Sequence, residues 1–81
     1  MLDRIEFRAA AKAVVTAIVR QKVRDDEALV SSGLIDSLSI LNLILLLERQ
    51  LGIQIPTADV QPEDFDSIDL ITETLARVCR G

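Results

Sequence analysis

The chain has 81 residues and a formal net charge of −4, enough for one small domain with a thin core and too little for a deep, enclosed active site. It contains no histidine, tryptophan or tyrosine and a single cysteine, Cys79, which removes most of the side chains that serve as bases, metal ligands or activated nucleophiles. An enzyme acting alone is not expected, nor is a metal site or a disulfide framework.

Residues 1–24 carry a net +4 and residues 25–73 a net −10, so the middle and late chain presents an acidic surface. Such a field repels nucleic acid and draws in basic protein patches, although acidic loops also serve simply to keep a small domain dissolved. The first residues lack the basic-then-apolar order of a secretory signal. The longest apolar run, Leu43 to Leu47, is far short of the ~20 residues that cross a bilayer. These features predict a cytoplasmic protein with no membrane insertion. Cys79 reads as a small packing residue.

From Leu2 to about Val23, strong helix formers with Phe7, Ala11, Val14 and Ile18 at helical spacing predict a first helix. Arg20, Lys22 and Arg24 lie toward its end, where cations complement the dipole. Residues 25–35 read as an ordered loop anchored by Leu29, Val30, Leu34 and Ile35. Asp36 is a candidate N-cap for a second helix from Ser37 to about Leu51, stopped at Gly52. Ile53 to Pro56 reads as a short extended connector and Pro62 to Phe65 as one helical turn. Either Asp66 or Ser67 caps a last helix, in which Ile68, Ile71, Leu75 and Val78 recur at helical spacing up to Arg80. The pattern is a single all-α domain over residues 1–81, a small bundle of three longer helices and one very short third helix.

The second helix, "SLSILNLILLLERQ", is apolar on nearly every side. On a helical wheel Leu43, Leu46, Leu47 and Leu51 share one face, with Ile40 and Ile44 nearby. Leu38, Leu41 and Leu45 lie on another with Asn42 and Glu48. Either the helix is central and buried all round, or its second side is an exposed strip for partner proteins. Ser37 occupies the first turn, where free N–H groups and the helix dipole favour a phosphate, though a serine there also reads as part of a cap. With no histidine in the chain, Ser37 is not self-activating, and any modification falls to another enzyme.

The stretch "GLIDSLSILNLILLLERQLGIQIP", residues 33–56, followed by "PEDFDSIDLI", residues 62–71, resembles the acyl and peptidyl carrier proteins. The likeness covers residues 25–80 in matching motif order. It implies a four-helix bundle of acyl-carrier type. By position, it implies that Ser37 accepts 4′-phosphopantetheine from coenzyme A through a phosphopantetheinyl transferase, with Asp36 before it and Leu38 after it. Leu38, Leu41, Asn42, Leu45 and Glu48 then correspond to the partner-facing side of the second helix. The resemblance also implies a non-catalytic, monomeric carrier. Its arm holds acyl or aminoacyl groups as thioesters, received from a loading ligase and handed to downstream synthases or transferases. Leu43, Leu47, Ile55, Phe65 and Ile71 are expected to line the interior, where a short acyl chain finds shelter.

Fatty-acid carriers are rich in Glu and Asp along this helix, whereas Glu48 is its only acid here and Arg49 follows at once. Recognition should therefore lean on apolar contact, which favours a specialised acyl, aminoacyl or polyketide pathway, nonribosomal peptide synthesis included, over the primary fatty-acid synthase. The start at Met1 and the end just past the bundle read as a freestanding carrier. A helical adaptor with the same strip and no prosthetic group is the competing reading, and a nucleic-acid binder is disfavoured by the acidic segment.

Overall fold

The computed structural model describes residues 3–79. Three α-helices follow in order: α1 (Arg4–Val19), α2 (Ser37–Leu51) and α3 (Ile68–Val78). Two 3-10 turns, Thr57–Asp59 and Pro62–Phe65, lie between α2 and α3. No strand occurs among the described residues. The expected all-α bundle is present.

Each helix begins on a side chain that accepts an otherwise orphaned backbone N–H. Asp3 Oδ1 accepts from Glu6, Asp36 Oδ1 from Ser39 and Ser67 Oγ from Leu70, at 3.0, 2.8 and 3.0 Å. Of the two candidate caps for the last helix, Ser67 is the one used. Gly52 ends α2 in the left-handed conformation, which costs glycine nothing, and sends its N–H to the Glu48 carbonyl.

The first helix departs from the expectation. It stops at Val19, and Arg20 turns the chain at φ 60, a left-handed conformation unusual for a side chain with a Cβ. Lys22 and Arg24 therefore lie beyond the helix, and Val23 folds back into the core. Leu2 and Arg80, the expected helix limits, lie outside the described residues, as do Met1 and Gly81 of the expected domain; α1 begins only at Arg4, behind its cap Asp3, and α3 already ends at Val78. The short third helix is a 3-10 turn with Pro62 leading. Gln61 and Asp64 cap it reciprocally, and the Gln61 N–H donates to Asp64 Oδ2 at 2.8 Å. The turn at Thr57–Asp59 had no counterpart in the sequence reading.

The core joins Phe7, Ala11 and Val15 of α1 to Leu43 and Leu47 of α2 and to Ile68, Ile71 and Leu75 of α3. Leu29, Ile35, Ile55 and Phe65 close it from the connections. Leu46 and Leu51, expected on the core face, are only half-buried at its edge. α1 and α3 run antiparallel along a seam of charge: Arg4 pairs with Glu73, and Arg8 with both Asp69 and Asp25. Lys12 also reaches Asp25, at 3.2 Å. These pairs are largely solvated and orient the helices more than they stabilise them.

Candidate functional site

α2 begins where a folded loop delivers it. Leu29 and Ile35 are buried and Val30 half-buried, while Leu34, expected as a fourth anchor, is exposed. Their backbones are stitched together: the Ile35 N–H donates to the Leu29 carbonyl at 3.0 Å and the Gly33 N–H to the Val30 carbonyl at 3.1 Å. Gly33 takes φ 86 to make that return. Asp36 follows as the cap, and Ser37 is the first residue of α2, exposed to solvent.

The carboxyl of Asp36 is held below the usual aspartate range, first by the backbone N–H of Ser39 and then by that residue's side chain. It is thus an ionised cap and a weak base. No other residue in the chain compensates, since there is no histidine. No group of three or more metal-ligating side chains occurs among the described residues. Ser37 is therefore a hydroxyl that the chain presents and does not itself activate.

Beyond Ser37 the outer side of α2 is a leucine ridge. Leu38, Leu41 and Leu45 are 78, 56 and 59% exposed, with Asn42 exposed among them. Leu34, before the helix start, is exposed as well. Glu48, at the far end, is half-buried, and its Oε2 accepts the Ile55 N–H at 2.8 Å. On the other flank of Ser37 lies an apolar cavity of about 180 Å³ between α2 and the 57–65 segment. Ile40, Leu41 and Ile44 form one wall, and Val60, Pro62 and Phe65 the other. Leu43, Leu47, Ile55, Phe65 and Ile71, the five residues expected to line the interior, are all buried in the core, and of them Phe65 also lines this cavity. On the opposing wall the Pro62–Phe65 turn was legible in the sequence and Val60 was not, because it follows a proline-broken stretch whose path depends on tertiary packing.

A solvent-facing serine at a helix head, flanked by an apolar ridge and an apolar cavity in a small helical bundle, defines a carrier-type domain. Over residues 9–75 the chain matches the family model described as a phosphopantetheine attachment site. No individual curated protein matches it. The chain belongs to the phosphopantetheine-binding carrier family, that of the acyl and peptidyl carrier proteins. Its members hold 4′-phosphopantetheine covalently, and domains of this kind are typically non-catalytic.

Proposed function

We propose that Ser37 Oγ bears the 4′-phosphopantetheine arm, and that the chain is a single carrier domain holding acyl or aminoacyl groups for partner enzymes. The observation that carries this reading is the exposure of Ser37 at the first position of α2. A phosphodiester there meets the positive end of the helix dipole. In the modification, the Ser37 oxygen forms a bond to the phosphorus of the coenzyme A pyrophosphate that carries the pantetheine. The pyrophosphate linkage breaks and adenosine 3′,5′-bisphosphate departs. The hydroxyl proton passes to a base on the transferase, since this chain offers none. The arm then supplies a terminal thiol on which cargo is held as a thioester.

Leu38, Leu41, Asn42 and Leu45 form the surface on which the transferase, a loading ligase and downstream synthases dock. Glu48 borders it with its carboxylate turned to Ile55. Because the exposed side of α2 is nearly uncharged, contact is mainly apolar, and the reading favours a specialised acyl, aminoacyl or polyketide pathway over primary fatty-acid synthesis. The acids of the 59–69 stretch steer basic partners toward the same end of the molecule. A reducing cytoplasm suits the lone Cys79, whose thiol is pushed up by burial toward its unreactive form. No helix among the described residues is long and apolar enough to cross a membrane.

Incubation with coenzyme A and a broad-specificity phosphopantetheinyl transferase, read by intact mass, tests the proposal. One phosphopantetheinyl group is expected on the wild type and none on Ser37→Ala. No addition to the wild type, or addition that persists in the variant, moves the assignment to a helical adaptor without a prosthetic group.

A further inference from the structure

Ser67 caps α3, which leaves the neighbouring Asp66 carboxylate for another use. Its Oδ1 accepts three successive backbone N–H groups, from Leu29, Val30 and Ser31 at 3.1, 2.7 and 2.8 Å. The Ser31 hydroxyl lies within bonding reach of both carboxylate oxygens, at 3.2 and 2.9 Å. The Asp66 carbonyl also accepts from the Leu29 N–H, at 2.7 Å. Consecutive N–H groups converging on one anion form a nest, here filled from within the chain. The loop so gathered closes on itself through the Ile35–Leu29 bond and runs directly into Asp36 and Ser37.

We infer that Asp66 is a positioning residue for the modification of Ser37, because its carboxylate gathers the N–H groups of residues 29–31 and so holds the 29–35 loop in the shape that presents Leu34, Ser37 and Leu38 to the transferase. This rests on the attachment reading for Ser37. Without that carboxylate the Val30 and Ser31 N–H groups lose their acceptor, Leu29 keeps only the Asp66 carbonyl, and the loop samples other shapes. Only the fraction in the docking shape binds, so KM rises by the inverse of that fraction. The Ser37 hydroxyl itself is unaltered, so kcat stays the same.

Initial rates of phosphopantetheinylation across carrier concentrations, with coenzyme A and a broad-specificity transferase, separate this role from plain stabilisation. Asp66→Ala is expected to raise KM about five-fold at unchanged kcat, the scale of one net hydrogen bond. Asp66→Asn keeps the Oδ1 acceptor and recovers most of that loss. Val14→Ala removes buried volume from α1 without touching the loop, and while folded it keeps wild-type KM and kcat. Hydrogen exchange at the Val30 and Ser31 amides quickens in Asp66→Ala and not in Val14→Ala. Equal KM for folded Asp66→Ala and wild type overturns the inference, as does an equal shift in Val14→Ala. If Asp66→Ala does not fold, Ser31→Ala decides, since it removes only a hydroxyl donor at an exposed position. A KM raised about two-fold supports the inference and an unchanged KM ends it. Failure of the wild type to accept the group, or acceptance by Ser37→Ala, strikes the attachment reading instead, so the two failures are distinguishable.

Discussion

Glu48 Oε2 accepts the backbone N–H of Ile55 at 2.8 Å, and the Glu48 carbonyl accepts the N–H groups of Gly52 and Ile53. One residue thus closes the end of α2 and fastens the connector that follows it. That connector places Ile55 in the core and leads into the 57–65 segment, which walls the cavity beside Ser37.

Glu48→Ala should therefore lower stability by about 1–2 kcal/mol, the cost of a lost charge-assisted hydrogen bond to a half-buried amide. Urea denaturation followed by circular dichroism measures it. A change within experimental error shows that the bond contributes nothing net.

Acid should loosen the Asp66 nest. The N–H of Ser31, acting first among its donors, holds the Asp66 carboxyl below the ordinary aspartate value of 3.8. A carboxyl lowered by folding contributes stability that is complete above its unfolded value and lost as pH falls through the folded one. Asp25, lowered chiefly by Lys12, and Asp36, lowered chiefly by Ser39, act in the same direction. Unfolding free energy should fall more steeply below 3.8 in the wild type than in Asp66→Asn, which has no proton to take up there. Parallel curves for the two proteins would remove Asp66 from the acid response.

Arg20 holds φ 60 at the end of α1, where its Cβ is strained and its side chain makes no ion pair among the described residues. Arg20→Gly relieves the strain at some cost in unfolded-chain entropy, and should raise stability by roughly 0.5–1 kcal/mol. A higher thermal midpoint checks it; a lower one shows that the arginine stem contributes packing that outweighs the strain.

Two leucines two residues apart in α2, and so on opposite sides of the helix, should behave oppositely. Leu43 is fully buried, and Leu43→Ala should cost about 3 kcal/mol and lower the thermal midpoint sharply. Leu41→Asp, on the exposed ridge, should leave helical content near normal while slowing transfer to and from partner enzymes. If Leu41→Asp unfolds the protein, the ridge is part of the core and the docking surface lies elsewhere.

Much of this molecule is written locally. Asp36 with Ser39, Gly52 after Leu51 and Pro62 at the start of its turn act over a few residues. Their chemistry can be read without knowing what lies across the bundle. The two sides of α2 were legible for the same reason, since a 3.6-residue period sorts Leu43 and Leu47 from Leu38, Leu41 and Leu45 before any partner is specified. The end of α1 was not legible. No glycine or proline stops it, and the chain turns at Arg20 because Val23 reaches the core only if it does.

The amino-acid sequence by itself determined where α2 begins and ends, which of its faces are apolar and that a serine stands at its head, because caps and periodicity act between neighbours. Only the tertiary structure decided that Asp66 would leave helix capping to Ser67 and gather residues 29–31 instead, that Glu48 would turn to Ile55, and that a cavity would open beside Ser37. Those contacts join groups far apart in the chain or across a connector. Each forms only once core packing has met the entropy of closing the intervening loop, a condition that no local pattern records.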